Sequence, residues 1–403
     1  MQNLFWDTLA ISQGEAVKLI HLSDLHIGKR VNEYSMLEDQ QHILGEILKI
    51  IDKEQPDAVL LAGDLYDRPV PSAEAVCLFD RFLSALAERK RTVLAVSGNH
   101  DSPERIAFGT QLMQRSGVFF APVYGGALQP VTLRDEFGEV DFYLLPFLKP
   151  AMVRRFFPEK ELESYTDALR AALPEFPAGR EDGRRRVLVA HQFVTGASRS
   201  ESEELSVGGT DNVDAAAFAD FDYTALGHLH SPQNVGTERI RYCGTPLKYS
   251  FSEARQQKSV TVAELGPPAE DGFAALRIRA VPLTPLRDMR ELRGSYMEVT
   301  ARDFYAGSNR EDYVHVTLTD EEDIPGAVDK LRTVYHNLMK LDYDNRRTRS
   351  SREITVDTEA EKKTPLELFA EFYEKQNNAP LGEQERQAVA ALIEHIWDEQ
   401  QER

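Results

Sequence analysis

Nine side chains of the kind that bind metals or move protons stand in five short stretches of this sequence, each just past an apolar run. They are Asp24 and His26 in LIHLSDLHIG, Asp64 and Asp67 in LLAGDLYD, Asn99 and His100 in VSGNHD, His191 in VLVAHQ, and His228 and His230 in ALGHLH. Five of the ten histidines are among them. A lone histidine at such a place is ordinarily a hydrogen-bonded loop or core residue; five of them beside carboxylate, amide and glycine call for another reason. Imidazole nitrogen mixed with carboxylate and amide oxygen suits Mn, Fe or Zn better than Mg or Ca, which favour all-oxygen shells. Asp-x-His and His-x-His put both side chains on one face of an extended segment, so each pair can converge on one ion. Asp24, His26, Asp64, Asn99, His191, His228 and His230 are too many donors for a single ion. With Asp64 shared they fill two sets of four, and ions about 3.5 to 4 Å apart are the arrangement that clamps a phosphate. Gly63, Gly98 and Gly227 leave room for a tight turn and close approach.

Such donors work only if the chain carries them to one place. VKLIHL is a short apolar strand, and DAVLLAGD, RTVLAVSG, RRVLVAHQ and FDYTALGH repeat the pattern of a buried strand opening into a polar loop. Ile43, Leu44, Ile47, Leu48 and Ile51 recur at helical spacing and predict a helix over residues 36–53. Ser72 predicts the N-cap of a second helix running to Glu88, with Val76, Leu78, Phe79, Phe82, Leu83 and Leu86 as its apolar residues. The alternation predicts an α/β fold, sheet layered between helices, with the chemistry in loops beyond the strand ends. Past residue 284, SYMEVTA and DYVHVTLTD predict strands and IPGAVDKLRTVYHNLMKL an amphipathic helix, together a small α+β unit. After the polar linker SSREITVDTEAEKK, two helices around NNAPLG are predicted. Leu366, Phe369, Phe372 and Tyr373 mark one apolar face, and Val389, Leu392, Ile393, Ile396 and Trp397 the other.

With 403 residues, 42% of them hydrophobic, the chain can bury a full core. Cys77 and Cys243 are far apart, so both are expected to be plain buried thiols in a reducing compartment. No apolar run approaches the roughly 18 residues of a membrane span, and no basic segment followed by an apolar one opens the chain; a soluble cytoplasmic protein is expected. A net charge of -19 excludes a protein that coats DNA by itself, because phosphate binding draws on clustered Lys and Arg. Two stretches run against that average, Arg184, Arg185 and Arg186 in GRRRV, and Arg346, Arg347, Arg349 and Arg352 in DNRRTRSSR. Each reads as a solvated face or as a phosphate clamp.

DLH, GDLYD, GNHD, AHQ and GHLH, in that order and spacing, resemble the signature of calcineurin-like metallophosphoesterases over residues 18–283. The resemblance implies that family's sandwich of mixed sheets flanked by helices. It assigns Asp24, His26, Asp64 and His230 to one ion and Asp64, Asn99, His191 and His228 to the other. His100 becomes an acid outside the ligand set, oriented by Asp67. Longer stretches, HLSDLHIGKR, SGNHDSPERIAFG, YCGTPLKYSFSEA and PLELFAEFYEKQNNAPL, resemble the SbcD family, nuclease subunits of bacterial SbcCD complexes. That resemblance implies two manganese ions and an SbcC-type coiled-coil ATPase partner, with a homodimer inside a heterotetramer and no membrane. The implied activities are ATP-dependent 3'-5' exonuclease action on double-stranded DNA and endonuclease action on single strands and hairpins, in repair and recombination. The alternative is a phosphodiesterase or phosphomonoesterase acting on a small substrate, which would share every ligand but not need the C-terminal parts. The expected organisation is an extension over 1–16, a nuclease domain over 17–283, a capping and DNA-binding domain over 284–350, a linker over 351–363, and a partner-docking helical hairpin over 364–403.

Overall fold

Strands with apolar residues on both faces predict sheets covered on both sides, and two such sheets form the centre of the fold. The computed structural model describes residues 9–10, 16–177, 180, 182–198, 212–346 and 348, with isolated positions between 366 and 389. Contacts divide the chain into one unit of Met1–Arg293, Met297–Thr317 and Gly326–Asp342, and another of Gly294–Tyr296, Leu318–Pro325 and Tyr343–Arg403. In the first unit, β1 (Val17–Leu22), β2 (Ala58–Ala62) and β3 (Thr92–Val96) lie parallel in a six-stranded sheet. Val118–Ala121 flanks β3, and the antiparallel pair Ser259–Pro268 and Ala274–Pro282 flanks β1. In the second, seven-stranded sheet, β4 (Arg185–His191) and β5 (Tyr223–Gly227) are parallel neighbours, with His191 opposite Gly227.

Side chains alternate across these strands, and the alternation makes the layers. Leu19, Leu60, Leu94, Val187, Val189 and Ala225 fill the space between the sheets. Ile20, Val59, Leu61 and Val93 face outward onto α1 (Leu37–Glu54) and α2 (Ala73–Glu88). Leu188, Ala190 and Leu226 face the opposite way, onto Leu169 and Ala172 of the helix Tyr165–Ala172. The expected α/β sandwich is therefore present, helix, sheet, sheet, helix. α1 buries Ile43, Leu44, Ile47 and Ile51, and the Ser72 hydroxyl caps α2 by accepting from the Ala75 N–H at 3.3 Å.

Three readings are corrected. Tyr296–Val299 is a helical turn rather than a strand; the carboxylate of Asp320 accepts the Tyr296 N–H at 2.7 Å and satisfies one of its orphan donors. The segment after Gly326 is helical only over Ala327–Arg332, and Asn337–Tyr343 is a strand. That strand lies third in a sheet with the unforeseen Met289–Gly294 and the foreseen Tyr313–Leu318. Cys77 is exposed, one position off the inward stripe of α2, whereas Cys243 is buried. Of the C-terminal hairpin, Leu366, Phe369, Tyr373 and Val389 are helical, and Phe372, Leu392, Ile393, Ile396 and Trp397 lie outside the described residues. Two residues of the N-terminal extension, Leu9–Ala10, pair in parallel with Leu133 and Arg134 at the edge of the seven-stranded sheet.

Candidate metal centre

The parallel strands β1 to β5 end at one edge of the two sheets, and the loops beyond them bring the nine side chains together. Among the described residues, three sets of donors have ligand atoms within 4.8 Å of one another: Asp24, His26 and His230; Asp24, Asp64 and His191; His26, Asp64 and His100. Asp64 stands between them. Its Oδ2 lies 3.4 Å from His191 Nε2, 3.7 Å from His26 Nε2 and 3.9 Å from His100 Nε2. Asn99 Oδ1 faces His191 Nε2 at 2.9 Å and His228 Nδ1 at 3.0 Å, and His26 Nε2 faces His230 Nε2 at 3.2 Å.

The backbone is bent to make this possible. Asp24, His26, Asp64 and His228 have φ of 52°, 43°, 50° and 105°, a left-handed region that costs a residue with a side chain about 1–3 kcal/mol and persists where the surroundings enforce it. Asp101 enforces part of it, because its buried carboxylate accepts the N–H groups of Leu65, Tyr66 and Gly98 and so ties the loop after β2 to the loop after β3. Gly98 is required by close approach, since a Cβ there would collide with Asp64 Oδ1.

The electrostatics fit a cation. Burial pushes the Asp24 carboxyl up to about 6, with Asp64 adding to the rise and His191 opposing it. Burial also drives His26 well below the usual imidazole range, although Asp64 pulls the other way. Asp64 is buried as well, yet the imidazoles of His191, His26 and His100 outweigh burial and hold its carboxyl well below the usual range. His191 Nδ1 lies 2.8 Å from the Ala62 carbonyl, which can only accept, so Nδ1 carries a proton and Nε2 is the nitrogen turned to Asp64 and Asn99. His26 Nδ1 is buried with no hydrogen-bond partner. The nitrogen and oxygen donors gathered here, buried and within a few ångströms of one another, are a set that fits a divalent transition metal.

His100 and Asp67 also stand here, in contact through the Asp67 backbone. His100 Nδ1 lies 3.0 Å from the Asp67 backbone carbonyl, while the Asp67 carboxylate takes the Lys29 ammonium at 2.7 Å. Sequence reasoning missed several supporting groups. Ser23 Oγ donates to Asp24 Oδ2 at 2.5 Å and lies 3.0 Å from Cys243 Sγ. Glu253 is buried near His230; burial opposes its charge, but His230 and Lys258 hold its carboxyl at about 2. Glu253 lies in the SFSEA stretch, which carried a resemblance but no spacing that marks a site. The first arginine stretch is no phosphate clamp: Arg185 and Arg186 are buried and paired with Asp135 and Asp182, and Arg184 pairs with Asp141. In the second, Arg346 lies 3.9 Å from Glu321, and Arg347, Arg349 and Arg352 fall outside the described residues.

Residues 17–232 match the model of the calcineurin-like phosphoesterase family, and residues 285–377 match that of the type 5 capsule protein repressor C-terminal domain, SbcD_C. The SbcD component of the SbcCD nuclease of Staphylococcus epidermidis is 30% identical over 95% of this chain and 99% of its own length. Its counterpart in Staphylococcus saprophyticus is 33% identical over 81% of this chain and 84% of its own. The chain belongs to the SbcD family of calcineurin-like phosphoesterases. Members of this family are metal-dependent phosphodiesterases of the nuclease class, and the buried His and Asp cluster of this SbcD-family chain fits a divalent metal. No helix among the described residues is long and apolar enough to cross a membrane.

Proposed function

We propose that this chain is the nuclease subunit of a cytoplasmic SbcCD-type assembly that cuts DNA with two manganese ions. The observation that carries this reading is the convergence of seven donors beside His100, in a chain alignable with an SbcD relative along almost all of its length. Asp24, His26, Asp64 and His230 hold one ion, and Asp64, Asn99, His191 and His228 hold the other. When bound, such ions lower the pKa of water and withdraw charge from the phosphate oxygens. His100 stays outside both sets. Its Nδ1–H is given to the Asp67 carbonyl, which fixes the ring with Nε2 toward the site. As imidazolium it donates from Nε2 to the leaving oxygen of the phosphodiester. The Asp67 carboxylate holds Lys29 beside it, and the Lys29 ammonium lies over the Tyr249 ring.

An SbcC-type ATPase is the partner, docked through the helices after Thr364, and two copies of this chain pair inside the heterotetramer. Val70, Val76, Phe108 and Leu112 support the pairing, since these large apolar side chains are exposed, Phe108 by 85% and Leu112 by 71%. The domain over 284–350 caps the site and helps hold DNA. The test is a substrate panel. With manganese, the chain alone is expected to cut single strands and hairpins, and 3'-5' digestion of duplex ends to appear only with the ATPase and ATP. Duplex digestion at full rate without partner or ATP, or no cutting of any DNA, would overturn the proposal.

A further inference from the structure

We infer that Glu253 is a positioning residue for His230, and that Lys258 is the counter-charge that lets it do so in the interior. The inference rests on the metal-centre reading and concerns a layer behind it. Glu253 ends the short turn Phe251–Glu253 and is fully buried. Its Oε1 lies 3.7 Å from His230 Nδ1 and its Oε2 2.5 Å from Lys258 Nζ. The same ammonium donates to the His230 backbone carbonyl at 2.9 Å and to Gln256 Oε1 at 3.0 Å. Thr245 adds its N–H to the His230 carbonyl at 3.1 Å. One buried ion pair therefore holds both the ring and the backbone of a single histidine.

The direction of the hold matters. His230 shows its Nε2 to His26 and the donor cluster, and its Nδ1 to the carboxylate. A carboxylate on the Nδ1 side favours the tautomer with the proton on Nδ1, which leaves the Nε2 lone pair for an ion and fixes the plane of the ring. Stability alone gives no reason for the pair, because a buried ion pair is often matched or bettered by apolar side chains of the same volume. A histidine that must present one nitrogen in one direction does give a reason. The pair acts through His230 and touches neither ion nor substrate.

The experiment titrates manganese into metal-stripped full-length protein by calorimetry, beside thermal unfolding of the same stripped samples. Glu253→Gln leaves the Lys258 ammonium buried without its counter-charge, so its metal-free melting point is expected to fall, while one of two ions binds about 10- to 100-fold more weakly. Glu253→Gln/Lys258→Met removes both charges at similar volume. It is expected to fold and to show the same weakened site, which keeps the test valid if the single variant does not fold. His230→Ala is the control and is expected to lose one ion outright. Unchanged affinity in a folded variant that lacks the Glu253 carboxylate, with one ion lost in His230→Ala, would overturn the inference and leave the metal centre standing. Two ions still bound by His230→Ala would instead overturn the metal-centre reading itself.

Discussion

Asp24, His26, Asp64 and His228 were legible as donors because their types and two-residue spacings announce them, but their left-handed backbone was not. Nor could spacing say that Asp67 meets His100 through its carbonyl, or that Glu253 stands behind His230, because such contacts arise only when separate loops pack together. His21 is a further case. It lies buried on β1, its Nε2 3.2 Å from the Leu226 carbonyl and its Nδ1 2.8 Å from the Tyr223 hydroxyl, and so joins the two sheets as a neutral ring. Burial, helped by Arg241, lowers it from 6.5 to about 3. The unfolded chain thus takes up a proton below pH 6.5 that the folded chain refuses until about pH 3. The stability this ring contributes is full above pH 6.5 and is lost as pH falls through that window, by about 1.4 kcal/mol per unit. His21→Gln is expected to be the less stable protein at pH 7.5 and to close the gap by that slope between pH 6.5 and 5, in urea unfolding at each pH. A gap independent of pH would show that His21 is not buried neutral.

At the scale of elements, long periodic segments were readable and short ambiguous ones were not. α1 and α2 were foreseen nearly to the residue because their apolar positions recur over four turns or more and Ser72 supplies a cap. NLMKL fits a helix stripe and a strand alternation equally; pairing beside Tyr313–Leu318 decides it. MRELRG is too charged to announce a strand, and becomes one in the same sheet. The exposed apolar residues of α2 and of the short helices after Ser102 could not be told from core residues by pattern, since exposure depends on what covers them. Phe108→Glu/Leu112→Glu places two charges on that surface and is expected to convert the protein from dimer to monomer in light scattering. Metal content should be unchanged. A dimer that survives both charges would move the pairing surface elsewhere.

For the whole molecule, a net charge of -19 fits the proposed division of labour, in which the partner supplies much of the phosphate-binding surface. The helices after Thr364 are the proposed attachment. Removing residues 364–403 is expected to abolish co-purification with the ATPase while manganese-dependent cutting of single strands survives at nearly its full rate. Undiminished binding of the partner by the truncated chain would contradict the docking proposal.

In the proposed mechanism seven donors hold metal while His100 acts on the substrate without holding metal. Elemental analysis beside single-turnover cleavage of a short DNA separates the two roles in one set of variants. Asp24→Ala and His26→Ala are expected to lose metal and activity together. His100→Ala is expected to retain the full metal content and DNA binding while cleaving about 10² to 10⁴ times more slowly, the usual worth of general acid catalysis. Loss of a metal equivalent in His100→Ala would make it a ligand, and cleavage at full rate would remove it from the chemistry; either result contradicts the account.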